Sequence, residues 1–159
     1  MGAALSPMAA FQILQGIETL ALRMDRICDN ALAIAYFLKN HAKVAWVNYA
    51  GLPEHRDHAL AQKYMAGKAS GIISFGVKSS ADPIEAGGRF QDALQLFTRL
   101  VNIGDAKSLA CHPASTTHRQ LNPAELARAG VSTDMVRLSV GIEHIDDLLA
   151  DLEQALAAV

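Results

Sequence analysis

The sequence has no surplus of positive charge: 14 Lys and Arg stand against 16 Asp and Glu, a formal charge of −2. Its cations are scattered rather than gathered in a stripe, which excludes the electrostatic footprint of a nucleic-acid binder. Cysteine is scarce as well. Cys28 and Cys111 lie far apart and form neither a disulfide framework nor a paired metal-ligand spacing, so free thiols in a reducing, cytoplasmic setting are expected. No apolar run reaches the roughly 18 residues of a membrane span, and the N-terminus has no basic secretion-signal region. A phosphate cradle is missing too, because Gly87-Gly88 sits in a helical pattern without G-x-G-x-x-G or G-K-[ST] context, and a helix start or kink explains it.

The sequence does have enough length, 159 residues, for one core, and an apolar share of 51% that leaves surface to face a partner. Met1-Gly2 with Ser6 fits a myristoylation template, but Ser6-Pro7 reads better as a helix cap and first helical residue. Behind it, Ile13, Ile17, Leu20, Met24, Ile27, Ala31, Ile34 and Leu38 recur in steps of three and four. The spacing predicts one helix from Pro7 to about His41, long enough to link two domains or form an oligomer seam. Gly16 inside it costs about 1 kcal/mol against alanine, which points to close packing there.

Residues 42–159 are expected to form a small domain. Val44 to Tyr49 reads as a strand stopped by Gly51-Leu52-Pro53, and a short helix is expected near Ala59 to Met65. Gly71 to Lys78 alternates, with Ile73, Phe75 and Val77 on one face, and should pair with the first strand. Phe90, Leu94, Phe97 and Val101 predict a second amphipathic helix from Pro83 to just before Gly104. An irregular stretch to His118 follows, then a capped two-turn helix after Asn122-Pro123. Met135 to Gly141 is the last strand, and Ile145, Leu148, Leu149, Leu152 and Leu156 mark a C-terminal helix with Asp146 and Asp147 in its positive first turn. The class is α+β, a long N-terminal helix followed by a small sheet covered by helices mainly on one face.

Period-2 alternation sets Val136, Leu138 and Val140 on one face of the last strand and Arg137 and Ser139 on the other. Arginine's planar fork suits a bidentate carboxylate; the competing reading is a structural pair with a nearby Asp or Glu, and periodicity does not choose. Asn102 and Thr117 either complete an anion site or cap and turn the backbone. His112 and His118 match no metal-ligand spacing, and Cys111 reads as a buried structural thiol.

Several segments together resemble one family. They are Gly2-Ala3-Ala4-Leu5-Ser6-Pro7, Leu14-Gln15-Gly16-Ile17-Glu18-Thr19-Leu20 with Arg23-Met24, Tyr49-Ala50-Gly51-Leu52-Pro53, Ser108-Leu109 with His112-Pro113-Ala114, Thr117-His118, and Val136-Arg137-Leu138-Ser139-Val140-Gly141-Ile142-Glu143. This set, covering nearly the whole chain, resembles the C-terminal part of the pyridoxal-phosphate enzymes of cysteine and methionine metabolism, and residues 101–108 look most like the O-acetylhomoserine sulfhydrylase branch.

The resemblance implies a substrate-closing C-terminal domain, with the long helix linking it to a cofactor domain. It implies Arg137 as the grip on the substrate α-carboxylate, with Asn102 and Thr117 near the same pocket. The parent reaction would be γ-replacement on O-acetylhomoserine by sulfide or a thiol, in a homo-oligomer. The family's S-x-T-K Schiff-base lysine has no counterpart among Lys39, Lys43, Lys63, Lys68, Lys78 and Lys107, so no catalytic residue, cofactor contact or metal ligand is expected here. Pyridoxal phosphate is expected not to bind tightly to this chain alone. The alternative is a free-standing amino-acid-binding or oligomerisation module without catalysis.

Overall fold

The computed structural model describes residues 4–80 and 82–159; Met1 to Ala3, and with them the lipidation template and the start of the first family segment, lie outside the described residues. Helix α1 (Pro7–Glu18) starts where the Ser6 hydroxyl accepts the Ala9 amide at 3.2 Å, and α2 (Leu20–Asn40) follows directly. The single helix expected from the apolar spacing is thus divided at Thr19, where the backbone leaves helical geometry at φ −103°, ψ 4°. Two causes meet there. Gly16 lowers helix propensity, and the Arg23 guanidinium donates to the Gly16 carbonyl, the acceptor an unbroken helix would offer to the Leu20 amide.

The remaining elements are β1 (Val44–Asn48), α3 (His58–Met65), β2 (Ile72–Val77), α4 (Pro83–Ala93), β3 (Thr98–Arg99), β4 (Leu109–Cys111), a 3-10 turn (Pro113–Ser115), α5 (Pro123–Arg128), β5 (Met135–Ser139) and α6 (Ile145–Ala157). The sheet runs β1-β2-β5-β4-β3. β3 and β4 are parallel and the other neighbours antiparallel, so β5, late in sequence, is central.

Alternation was a faithful guide to the core. Ile73, Phe75 and Val77 of β2 and Val136, Leu138 and Val140 along β5 are buried on one face. Against them lie Ala31, Ile34 and Leu38 of α2, Phe90 of α4, and Leu148, Leu152 and Leu156 of α6. Phe75 and Phe90 meet edge to face at 5.6 Å, a favoured aromatic geometry. Each such fully buried Leu, Ile or Phe contributes about 1.5–3 kcal/mol, and together these residues fix which sheet face turns inward.

The helix expected to run from Pro83 to near Gly104 ends at Ala93 instead. Its start is as expected, with Pro83 in the first turn and the Asp82 carboxylate accepting the Ile84 amide at 2.9 Å. Its end is set from elsewhere: the carboxylate of Asp151, on α6, accepts the amides of Gln95, Leu96 and Phe97 at 2.8, 2.9 and 2.9 Å. Those amides point at one acceptor, so the chain turns out of the helix. Phe97 is still buried, but from an extended segment leading into β3.

Candidate functional site

The sheet face opposite α2, α4 and α6 carries the candidate site. Across the three central strands, Ser74 of β2, Arg137 of β5 and Cys111 of β4 are paired in one row. Since paired residues project to the same side, Arg137 is flanked by a hydroxyl and a thiol, and it is itself half-buried. Its Nη2 donates to the backbone carbonyl of Asn102 at 3.4 Å. No acidic side chain among the described residues lies within ion-pair distance of it. The structural-pair reading of Arg137 therefore finds no partner in the described part of the fold.

Asn102 reaches the arginine through its main chain, while its side-chain oxygen accepts the neighbouring Ile103 amide at 2.9 Å. The residue both shapes its loop and stands beside Arg137, combining the two readings left open by its sequence position. Thr117 lies in the turns that follow the 3-10 segment, exposed, with its hydroxyl 2.8 Å from Nδ1 of His118. No hydrogen bond among the described residues joins it to Arg137 or Asn102. The structure thus brings two of the three predicted residues together.

Two hollows open on either side of the arginine row. One, of about 630 Å³, is lined by Trp46, Asn48, Ser74, Val131, Ser132 and Met135. The other, of about 330 Å³, is lined by Leu100, Val101, Ala110, Cys111 and Thr116 among others. The strand neighbours Ser74 and Cys111 each contribute to one of them.

Behind the face sits a cluster that no composition argument singles out. The Glu143 carboxylate accepts the amide of Ser108 at 2.6 Å and its hydroxyl at 2.9 Å, while the same hydroxyl accepts the Gly141 amide at 2.8 Å. The side-chain amide of Asn30, on α2, donates to the carbonyls of Gly141 and Glu143 at 3.1 and 3.0 Å. A Cβ at residue 141 would overlap the Ala106 carbonyl and the Glu143 carboxylate, so the site requires glycine. The signal was present in the sequence, as the paired segments Ser108-Leu109 and Gly141-Ile142-Glu143, but their contact was not.

His112 is fully buried between Gln91, Ser115 and Thr133. Its backbone amide donates to the Gln91 side chain at 3.0 Å, and its ring nitrogens lie 2.8 Å from the Ser115 hydroxyl and 3.0 Å from the Thr133 carbonyl. Both cysteines are buried free thiols, and burial pushes the Cys28 thiol up. The lysines do not form a Schiff-base site. Lys39 pairs with Glu54 and Lys68 with Asp25, Lys43 and Lys78 donate to backbone carbonyls, and Lys63 and Lys107 are exposed. Asp25 holds the Lys68 ammonium above its ordinary value, the opposite of what a nucleophilic amine needs. These residues do not fit covalent attachment of a pyridoxal cofactor.

The architecture is that of an α+β domain with a half-buried arginine on its central strand, on the sheet face opposite α2, α4 and α6. Its sequence places it further: the model of the Cys/Met metabolism pyridoxal-phosphate-dependent enzymes matches residues 1–157, and the chain belongs to that family. It is 52% identical over 98% of its length to O-acetyl-L-homoserine sulfhydrylase 1 of Thermus thermophilus and 54% identical over 98% to O-acetyl-L-homoserine sulfhydrylase of Leptospira meyeri. It is also 50% identical over 99% to an L-methionine gamma-lyase of Pseudomonas deceptionensis.

The crystal structure of an O-acetylhomoserine (thiol)-lyase described as putative, from Campylobacter jejuni and carrying a pyridoxyl-lysine monophosphate, superposes with a TM-score of 0.87 at 46% identity; the match covers 98% of this chain and 36% of that one. The chain spans 36%, 35% and 39% of the Thermus, Leptospira and Pseudomonas relatives, about a third of each. Among the described residues no helix is long and apolar enough to cross a membrane.

Proposed function

We propose that this chain is the substrate-closing C-terminal domain of a pyridoxal-phosphate-dependent O-acetylhomoserine sulfhydrylase, acting with a cofactor-bearing domain outside it, in the cytoplasm and as a homo-oligomer. Residues 1–41 form the interdomain segment and 42–159 the closing domain. The observation that carries the reading is Arg137, half-buried on the central strand and without an acidic partner among the described residues. When bound by the other domain, the cofactor supplies the electron sink for γ-replacement of acetate by sulfide or a thiol.

The work of this chain is orientation. Arg137 binds the substrate α-carboxylate, Asn102 stands beside the guanidinium with its carbonyl, and Thr117, exposed in the turns after the 3-10 segment, offers the substrate an uncharged hydroxyl. Apolar side chains of the N-terminal segment, Leu5, Met8, Phe11, Leu14 and Ile17, are all more than half exposed, at 62, 65, 55, 60 and 56%, which supports a partner surface there. The chain alone holds pyridoxal phosphate weakly, since none of its lysines sits in an attachment site.

A chimera tests this directly. The part of the Thermus relative that precedes the matched region, joined to this chain, should form homocysteine from O-acetylhomoserine and sulfide. Arg137→Ala should lower kcat/KM about 100-fold or more, the scale of losing a buried charge-assisted pair. An active chimera indifferent to that substitution removes the carboxylate grip; a folded but inactive one removes the domain assignment.

A further inference from the structure

We infer that Glu143 is a positioning residue for the Arg137 grip, acting through Ser108 and Gly141 to hold the Asn102 loop beside the guanidinium. The inference rests on the reading of Arg137 as a carboxylate anchor. Arg137 and Asn102 belong to two segments with no covalent reason to stay aligned: β5, whose chain continues past Ser139 to Gly141, and the loop that ends at Ser108. Their own contact is a single long hydrogen bond of 3.4 Å, too weak on its own to fix a largely exposed loop.

The alignment is made at the other end of both segments. Glu143 takes both donors of Ser108, at 2.6 and 2.9 Å, and the Ser108 hydroxyl in turn accepts the Gly141 amide at 2.8 Å. The Ile142 amide donates to the Ala106 carbonyl at 3.0 Å. Gly141 lets the two backbones approach, because a Cβ there would collide with Ala106 and Glu143. Asn30 then ties this junction to α2, at 3.1 and 3.0 Å. The carboxylate is the hub: removing it leaves the Ser108 amide without its acceptor and frees residues 101–107, while the buried strand face of β5, held by Ile73 and Phe75, stays in place.

The test uses the chain itself, labelled with ¹⁵N, and compares the wild type with Glu143→Ala, Glu143→Gln and Ser108→Ala. Amide exchange across residues 101–108 should speed up about tenfold or more in Glu143→Ala and Ser108→Ala, with exchange in β2 and β5 unchanged. The Arg137 Nε–H resonance should move at the same time. Glu143→Gln keeps one acceptor oxygen and should restore most of the protection, which a generally loosened fold would not show. Unchanged exchange at 101–108 in Glu143→Ala, or an unmoved Arg137 signal alongside faster exchange, overturns the inference.

L-homoserine is then titrated into each protein. In the wild type it should shift the Arg137 signal, and Glu143→Ala should weaken that response about tenfold. Binding of equal strength in both overturns the positioning role. A wild type that ignores homoserine while exchange and the Arg137 signal respond to Glu143 refutes the anchor and, with it, any role in substrate positioning, leaving the Ser108 clamp as architecture alone.

Discussion

The imidazole of His112 and the backbone of Gly87 are in direct contact: a Cβ on residue 87 would fall on the ring. Gly88, its neighbour on α4, has open space around the same position. Two adjacent glycines in one helix therefore have opposite reasons to be there. Gly87→Ala should destabilise the domain by about 1–3 kcal/mol through overpacking against a buried ring. Gly88→Ala should raise stability by about 0.5–1 kcal/mol, because alanine restricts the unfolded chain and suits a helix interior. Urea midpoints of the two variants should move in opposite directions, and a shared direction would refute the contact.

His112 also makes stability depend on pH. Burial holds its imidazole below its ordinary value, against the opposing pull of the Thr133 carbonyl and the Asp134 charge. As pH falls through the ordinary imidazole range, the unfolded chain binds a proton that the folded chain resists. Stability from this group is complete above that range and declines as pH drops toward the lower folded value. Between pH 7 and about pH 5 the urea midpoint should fall more steeply for the wild type than for His112→Gln. Parallel slopes would show that the ring titrates alike in both states.

How much of this could be read beforehand follows from range. The inward face of β2 and β5, the cap at Ser6, the helix start at Pro83 and the capped helix after Asn122-Pro123 are set by residues a few positions apart, and local pattern finds them. Arg137 was placed by alternation on the face opposite Val136 and Leu138, but its part as a carboxylate grip came only from the resemblance of the surrounding segment. The end of α4 was not legible locally, since nothing near Ala93 stops a helix and the acceptor that turns the chain, Asp151, is more than 50 positions away. The clamp of Asn30, Ser108 and Glu143 was hidden for the same reason, its side chains coming from α2, the loop before β4 and the turn after β5.

Asp151 offers a direct measure of that long-range control. It is 6% exposed and accepts three consecutive amides besides the side-chain amide of Gln154 at 2.9 Å. Asp151→Ala strands those donors in a partly buried turn and should cost about 2–4 kcal/mol, while Asp151→Asn, which keeps one acceptor oxygen, should cost less. Chemical denaturation gives both values. A loss below about 0.5 kcal/mol for the alanine variant would mean that water replaces the carboxylate without penalty.

Periodicity located the apolar seam from Ile13 to Leu38 but could not say what covers it. The structure divides it: Ile27, Ala31, Ile34 and Leu38 are buried, whereas Ile13, Ile17 and Leu20 are exposed and α1 buries no residue at all. Helix α1 is a 12-residue segment, at the length where isolated helices are marginal, while α2 is held by the sheet, by α6 and by Asn30. In the isolated chain, α1 amides should therefore exchange orders of magnitude faster than those of the Ile27 to Leu38 stretch, and limited proteolysis should cut before Arg23 first. Phe11→Ser should shift global stability by less than about 0.5 kcal/mol, since no packing is lost. Ala31→Ser, which places a hydroxyl in the core, should cost about 1–3 kcal/mol. If α1 exchanges as slowly as α2 in a monomer, the helix has a stabilising partner within the chain itself, and the reading of its apolar row as a surface for another domain loses its ground.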